Sequence, residues 1–110
     1  MFRKTITFTY EMKPEKTGFS FVCLDWDCVY SQGETVEECK RNAIEVTEML
    51  LEELLKGELN KKQYPKIKEH TNNPFLFSLT FDLTKGKYIN LSRIQNVKTY
   101  RQFIPAQSIS

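Results

Sequence analysis

The sequence predicts an α+β domain of two layers, in which one long helix packs on a mainly antiparallel sheet in the order β-β-β-α-β. Residues 2–12 and 75–83 alternate between apolar and polar side chains, as expected of strands with one buried face. Residues 35–57 instead repeat apolar side chains every three or four positions, which is the period of an amphipathic helix. Because strands precede one helix and another strand follows it, the pattern favours a two-layer domain with a short C-terminal strand and helix extension.

Three strands are predicted before the helix. In the first, residues 2–12, threonines occupy one face and the other face is apolar. Residues 13–18 are polar and contain Pro14 and Gly18, which indicates a hairpin loop. The second strand, residues 19–24, is broken by residues 25–27, and a short third strand follows at 28–31. The predicted apolar positions of the first two strands are Phe2, Ile6, Phe8, Tyr10, Met12, Phe19, Phe21 and Cys23.

The predicted helix has signals at both ends. Thr35 is a suitable N-cap residue, and Glu38 three positions later completes the sequence of a capping box. Lys56 in the last turn and Gly57 beyond it mark the C-terminal end. At 1.5 Å per residue such a helix is about 30 Å long, enough to cross a small sheet. Its apolar face consists of two stripes: Val36, Cys39, Ala43, Val46, Leu50 and Leu54, with Ile44, Leu51 and Leu55 beside them.

The remainder of the chain contains one clear strand. Residues 58–73 form a basic connector without a period, in which Tyr64 and Ile67 are expected to pack against the sheet. Residues 75–83 form the fourth strand, residues 84–87 a turn, and residues 88–91 a short return strand. A short helix after Ser92 is also predicted. We therefore divide the chain into a domain at residues 1–83 and an extension at residues 84–110.

Composition and charge restrict the classes of function. Residues 1–60 contain 7 Lys/Arg and 12 Asp/Glu, a balance of −5, whereas residues 61–110 contain 9 and 2, a balance of +7. The acidic half suits a basic partner and the basic half suits weak, salt-dependent contact with nucleic acid, although both halves can equally be solvated surface. No apolar run is long enough to cross a membrane and the N-terminus is no signal peptide, so we expect a cytoplasmic protein with reduced cysteines.

Neither metal binding nor catalysis is predicted. A Mg²⁺ site would need scattered carboxylates to converge, and these are better explained by a helix cap and by turns. A zinc site would need three scattered cysteines and the one histidine to meet. Nucleophilic catalysis by a cysteine would need that same histidine as its base, and the histidine lies in a loop. We therefore predict no enzyme, no cofactor and no metal. The residues considered are Asp25, Asp27, Glu38 and Asp82 for magnesium, and Cys23, Cys28, Cys39 and His70 for zinc.

Two groups of residues are candidates for binding a protein partner. Trp26 lies between Asp25 and Asp27, and an exposed Trp flanked by acids suits a basic partner. The alternative, that Trp26 folds back over the sheet edge, stays open at this point. The second group is the outer face of the helix, where carboxylates either meet a basic partner or are simply solvated. Its members are Glu45, Glu48 and Glu52.

The order of elements and several segments resemble the HicB-like antitoxin family. The matching segments are ITFTYEM, GFSFVCLD, DWDCVYSQGET, Glu37-Glu38, Asn42-Ala43 and FLFSLTFDL, within about residues 5–83. From the end of the second strand into the helix, the family commonly reads DLPGC, then QGDT, EA and NA. Trp26-Asp27 replaces the usual Leu-Pro-Gly corner.

The resemblance implies a degraded ribonuclease-H-like domain of a type II toxin–antitoxin system, without catalysis of its own. Such a domain binds a small, basic HicA-type toxin that cuts mRNA, and covers its catalytic face. The 27 residues after Leu83 are too few for an ordinary ribbon-helix-helix module, so we do not predict sequence-specific DNA binding. An uncovered sheet edge favours a homo-oligomer. The alternative function is an orphan HicB-like domain that self-associates or binds another protein without a toxin.

Overall fold

A computed structural model describes residues 4–90 of the chain and confirms the predicted α+β class. One long helix packs on one face of a five-stranded antiparallel sheet with the order β3-β2-β1-β4-β5. Predictions for Phe2 and for the helix after Ser92 lie outside the described residues. The elements are β1 (Thr5–Pro14), β2 (Phe19–Cys23), β3 (Tyr30–Gly33), α1 (Val36–Leu55), a 3-10 turn (Lys61–Gln63), β4 (Leu76–Asp82) and β5 (Lys87–Ile89).

The core lies between α1 and the face of the sheet on which the predicted apolar side chains alternate. Phe8 is paired with Leu79 and Tyr10 with Phe77, so the apolar faces of β1 and β4 coincide. The Tyr10 and Phe77 rings stack with centroids 5.0 Å apart. Because these large rings are shielded from water, their burial is the main source of stability for the packing of the helix on the sheet. The fully buried aromatic side chains are Phe8, Tyr10, Phe21, Trp26 and Phe81.

The helix begins and ends near the predicted residues, with one difference in its cap. The Thr35 side chain accepts a hydrogen bond from the Glu38 N–H at 3.0 Å. The Glu38 carboxylate accepts from the Glu34 N–H at 2.6 Å, one residue before the position that completes an ordinary capping box. Gly57, with φ +75°, follows the last turn. The cap is therefore shifted, but it still satisfies two backbone donors at this end.

The buried stripe of α1 differs from the predicted one at its centre. Its fully buried line is Cys39, Ala43, Thr47 and Leu51, whereas Leu55 is exposed. Thr47 was not predicted to be buried, because a hydroxyl does not belong to an apolar pattern. Its Oγ1 lies 2.6 Å from the Tyr10 hydroxyl, which satisfies both buried oxygens.

The connector between α1 and β4 reverses the direction of the chain. The helix starts beside Gly33, which lies so close to it that an added Cβ atom would be 2.7 Å from the Cys39 nitrogen. It ends beside Gly86, in the β4–β5 turn. The β4 strand begins opposite Glu11 and ends opposite Thr5, so it runs antiparallel to β1. Residues 56–75 must therefore return the chain to the end of the sheet where the helix begins. This return path passes residues 25–27, which we call the corner.

Candidate functional site

The corner begins where β2 ends, and Asp25 replaces the missing part of that strand. The Leu24 N–H donates to the Thr9 carbonyl at 2.8 Å, which extends the pairing with β1 by one bond. The next donor on β1, the Thr9 N–H, is bound by Asp25 Oδ2 at 2.8 Å. The carboxylate therefore stands where a strand carbonyl would otherwise accept this bond.

The other oxygen of Asp25 holds the connector. Asp25 Oδ1 accepts from the Lys68 N–H at 2.9 Å and lies 2.8 Å from His70 Nε2. The Asp25 carbonyl also accepts from the Lys66 N–H at 2.7 Å. Burial acts to raise the pKa of Asp25, but the bonds from Thr9, His70 and Lys68 outweigh it and the pKa is lowered from 3.8. Asp25 is therefore an ionised anchor with its bonding capacity occupied.

Trp26 is a second anchor, and the alternative in which it projects outward is wrong. Its side chain is 1% exposed and its ring packs on Phe8 with centroids 5.3 Å apart. Its Nε1–H donates to the Gln63 carbonyl at 2.6 Å. Burial of the large indole with its one donor satisfied explains why it folds inward. Of the predicted corner contacts, Asp25 and Trp26 are buried, and only Asp27 is exposed.

The segment that these anchors hold, residues 61–70, is called the lysine strap. Its four lysines are all exposed, and Tyr64 and Ile67 are 42% and 56% exposed, so the prediction that these two pack against the sheet is wrong. Leu59, just before the strap, is buried instead. A shallow cavity of about 130 Å³ lies between the corner and the strap. Its lining includes Asp25, Trp26, Asp27, Cys28, Lys62, Gln63, Tyr64, Lys66 and Lys68.

The outer face of α1 places the three predicted glutamates in different settings. Glu45 and Glu52 are exposed, and Glu52 lies 3.2 Å from the Lys56 ammonium. Glu48 is half-buried, and its Oε2 accepts from the Tyr88 N–H at 2.8 Å, so it joins the helix to β5. Met49, which the sequence did not single out, is 56% exposed on this face. Partner binding stays a prediction for Glu45 and Glu52, whereas Glu48 has a structural contact.

Among the residues considered for metal binding or catalysis, Asp25, Glu38, Asp82 and His70 have other partners. Asp82 Oδ1 accepts from the Thr84 and Lys85 N–H groups in the β4–β5 turn. Burial raises the pKa of Cys23 to about 12, so its thiol is protonated at neutral pH and is a poor nucleophile. Within residues 4–90, no group of three or more His, Cys, Asp or Glu side chains is placed to hold a metal ion.

Sequence reasoning missed the contacts of His70 and Gln63, because it considered His70 only as a zinc ligand and did not consider Gln63. His70 is 45 residues from Asp25 along the chain, and Gln63 is bound through its backbone carbonyl. A contact between residues so far apart produces no periodic pattern in the sequence. A backbone carbonyl is present in every residue, so the sequence does not show which one is used. The Pro65 after Tyr64 was the one local signal of a constrained segment.

Two further findings concern similarity to known proteins and membrane-spanning character. No protein-family model, curated protein or solved structure matches it. In the part of the chain that the structure describes, no helix combines the length and the apolar character needed to cross a bilayer. Any assignment of function therefore depends on the residues and contacts given above.

Proposed function

We propose that the chain is a HicB-like antitoxin domain that binds and occludes a small, basic HicA-type toxin that cuts mRNA. It has no catalytic activity of its own in this proposal, and it acts in the cytoplasm, where that mRNA lies. The segments that resemble the family supply β1, β2, β3, the start of α1 and β4. The observation that carries the proposed interface is the exposed Met49 on the outer face of α1.

Met49 is an apolar side chain surrounded by acids. Glu45 precedes it by four residues and Glu52 follows it by three, so all three share one face of α1. Methionine is enriched in protein interfaces, where an apolar centre is surrounded by polar side chains. Glutamates beside it complement a basic toxin, and they accelerate and orient its association more than they set its affinity. This face therefore offers both an apolar contact and the matching charge.

A second candidate is an orphan HicB-like domain that self-associates. Val22 and Tyr30 are cross-strand partners on β2 and β3, and both are exposed on the face of the sheet away from α1. They lie at the β3 edge of the sheet, where another copy can pair or pack. This apolar pair supports a homo-oligomer, with or without a toxin.

The two candidates are separated by using the tagged full chain as bait in its own host and identifying what it recovers by mass spectrometry. A small basic protein whose RNA cleavage stops when the chain is added supports the antitoxin. Recovery of the bait alone, at a defined oligomeric mass, supports the orphan domain. Cleavage that continues with the chain in excess contradicts the antitoxin.

Two matched variants locate the interface. Met49→Lys places a positive charge at the centre of the apolar contact and should weaken toxin binding at least about tenfold. This corresponds to a loss of about 1.4 kcal/mol of binding free energy. Tyr30→Lys makes an equivalent change at the other apolar surface and should leave toxin binding intact while lowering the oligomeric mass. The reverse result would move the toxin interface to the sheet.

A further inference from the structure

The most basic segment of the described surface is the lysine strap. Residues 61–70 contain four lysines and one glutamate, a formal charge of +3 with histidine neutral. All four lysine side chains are exposed. We propose that the strap binds single-stranded nucleic acid, a function that is independent of any toxin.

The strap is held in place before a ligand arrives. The Trp26 indole binds the Gln63 carbonyl, and Asp25 binds the backbone amides of Lys66 and Lys68. Bonds from Asp25 and Trp26 therefore fix the backbone, while the lysine side chains are exposed to solvent. Because the backbone is already ordered, a ligand bears less of the entropy cost of immobilising a loop.

The spacing of Lys66 and Lys68 suits a row of phosphates. Both residues direct their amides to Asp25, as in an extended chain, where residues two apart have the same orientation. In such a chain their Cα atoms are about 6.6 Å apart and their side chains lie on the same side. The two ammonium groups can therefore contact separate phosphates of one strand.

Tyr64 distinguishes nucleic acid from other polyanions. Its exposed ring lines the same cavity as Lys62, Lys66 and Lys68. Single-strand-binding proteins combine a basic track for the backbone with an aromatic ring on which a base stacks. An acidic protein or a phospholipid headgroup would use the lysines but would have no base to stack on Tyr64. Two exposed acids oppose such binding: Glu69 within the strap, and Asp27, which also lines the cavity. The third acid nearby, Asp25, is buried and bonded to the strap backbone.

The first test measures anisotropy of fluorescein-labelled 12-mers of uridine and of deoxythymidine with the full chain across a range of KCl concentrations. Removing three strap charges should reduce the slope of log K against log [KCl] by about 2, at about 0.7 per phosphate contact on a single strand. Comparison of the uridine and deoxythymidine 12-mers shows whether RNA or DNA is preferred. The strap variant is Lys62→Gln/Lys66→Gln/Lys68→Gln, and the matched control is Lys13→Gln/Lys16→Gln/Lys85→Gln, all exposed lysines.

The second test concerns the ring and the opposing acid. Tyr64→Ala should weaken binding about 5- to 100-fold, the contribution of one stacked base, while Tyr64→Phe should bind as the parent does. Asp27→Asn should strengthen binding, because it removes the exposed carboxylate of the cavity lining. These substitutions are at exposed positions, and circular dichroism verifies that each variant is folded.

Three outcomes would overturn the proposal. Equal losses in the strap variant and its control would mean that net charge alone is responsible. Unchanged binding in Tyr64→Ala would mean a general polyanion surface with no base recognition. Loss of binding in Arg93→Gln/Lys98→Gln/Arg101→Gln, with the strap intact, would assign the binding to the C-terminal extension.

Discussion

The helix–sheet half of the molecule and the corner–strap half are held together by different physics. In the first, buried aromatic rings of three strands pack under α1, and each ring has several neighbours. In the second, most side chains are exposed, and the segment is fixed by hydrogen bonds to Asp25 and Trp26. Loss of one contact in the first half leaves others in place, whereas the second half depends on two residues.

Trp26 connects the two halves, so its removal should have the largest effect. Trp26→Ala leaves a cavity beside Phe8 and should lower the free energy of unfolding by about 3–5 kcal/mol. Trp26→Phe retains much of the packing but loses the Gln63 bond, worth about 1 kcal/mol, and should cost less than the alanine variant. Urea unfolding followed by circular dichroism measures both free energies. Tryptophan fluorescence is not suitable, because Trp26 is the only tryptophan in the chain and both variants remove it.

Tyr64→Ala is the control for the strap. It removes an exposed ring from the segment that Trp26 anchors, and a surface substitution of this kind should stay within about 0.5 kcal/mol of the parent. If Trp26→Ala cost no more than Tyr64→Ala, the indole would not be the connection between the halves.

An intermediate effect is expected at the polar contact inside the helix–sheet half. Thr47→Val leaves the buried Tyr10 hydroxyl without its partner, at a cost of about 1–3 kcal/mol. Burial raises the pKa of Tyr10 well above 10, so this hydroxyl cannot ionise to relieve the loss at neutral pH. Thr47→Val/Tyr10→Phe removes both oxygens and should recover most of that cost. A double variant as unstable as the sum of the two single ones would show that the oxygens do not act as a pair.

The strands and the helix were predictable because their side chains repeat. Phe8, Tyr10 and Phe81 are buried at the alternating positions that the sequence indicated. Thr47 was missed because its burial depends on one bond to another strand. The apolar pattern also continued to Leu55, which is exposed, since a pattern does not show where the sheet ends.

The corner and strap were not predictable in the same way. Asp25, with Trp26 and Asp27, was read as a surface for a partner, yet Asp25 is buried and bonded to residues 43 and 45 positions away. Such a contact depends on the path of the connector, which has no period. Tyr64 and Ile67 were expected inside because they are apolar, but the strap is anchored through its backbone and leaves them outside.

The smallest effect expected is a pH dependence confined to the corner. Because the hydrogen bonds lower the pKa of Asp25 in the folded state, its contribution to stability is present above the unfolded value near 3.8 and is lost as pH falls through the folded value. Below about pH 4 the Lys66 and Lys68 amides should exchange faster, relative to those of α1, than at pH 7. The effect is small because burial of Asp25 opposes the lowering. Hydrogen exchange at these amides, corrected for the intrinsic pH dependence of exchange, measures it.

Two variants assign this pH dependence to Asp25. Asp25→Asn cannot ionise, so the strap amides should be weakly protected at pH 7 and show no further loss, relative to α1, below pH 4. His70→Gln retains the bonds from the Thr9 and Lys68 amides to the carboxylate but removes the His70 contact that helps to lower the pKa of Asp25. The acid-dependent loss of strap protection should therefore persist in this variant and begin at a higher pH than in the parent. A parent whose α1 and strap amides lose protection together would show that acid unfolds the whole domain. The corner would then have no stability of its own, and the division into two halves would be wrong.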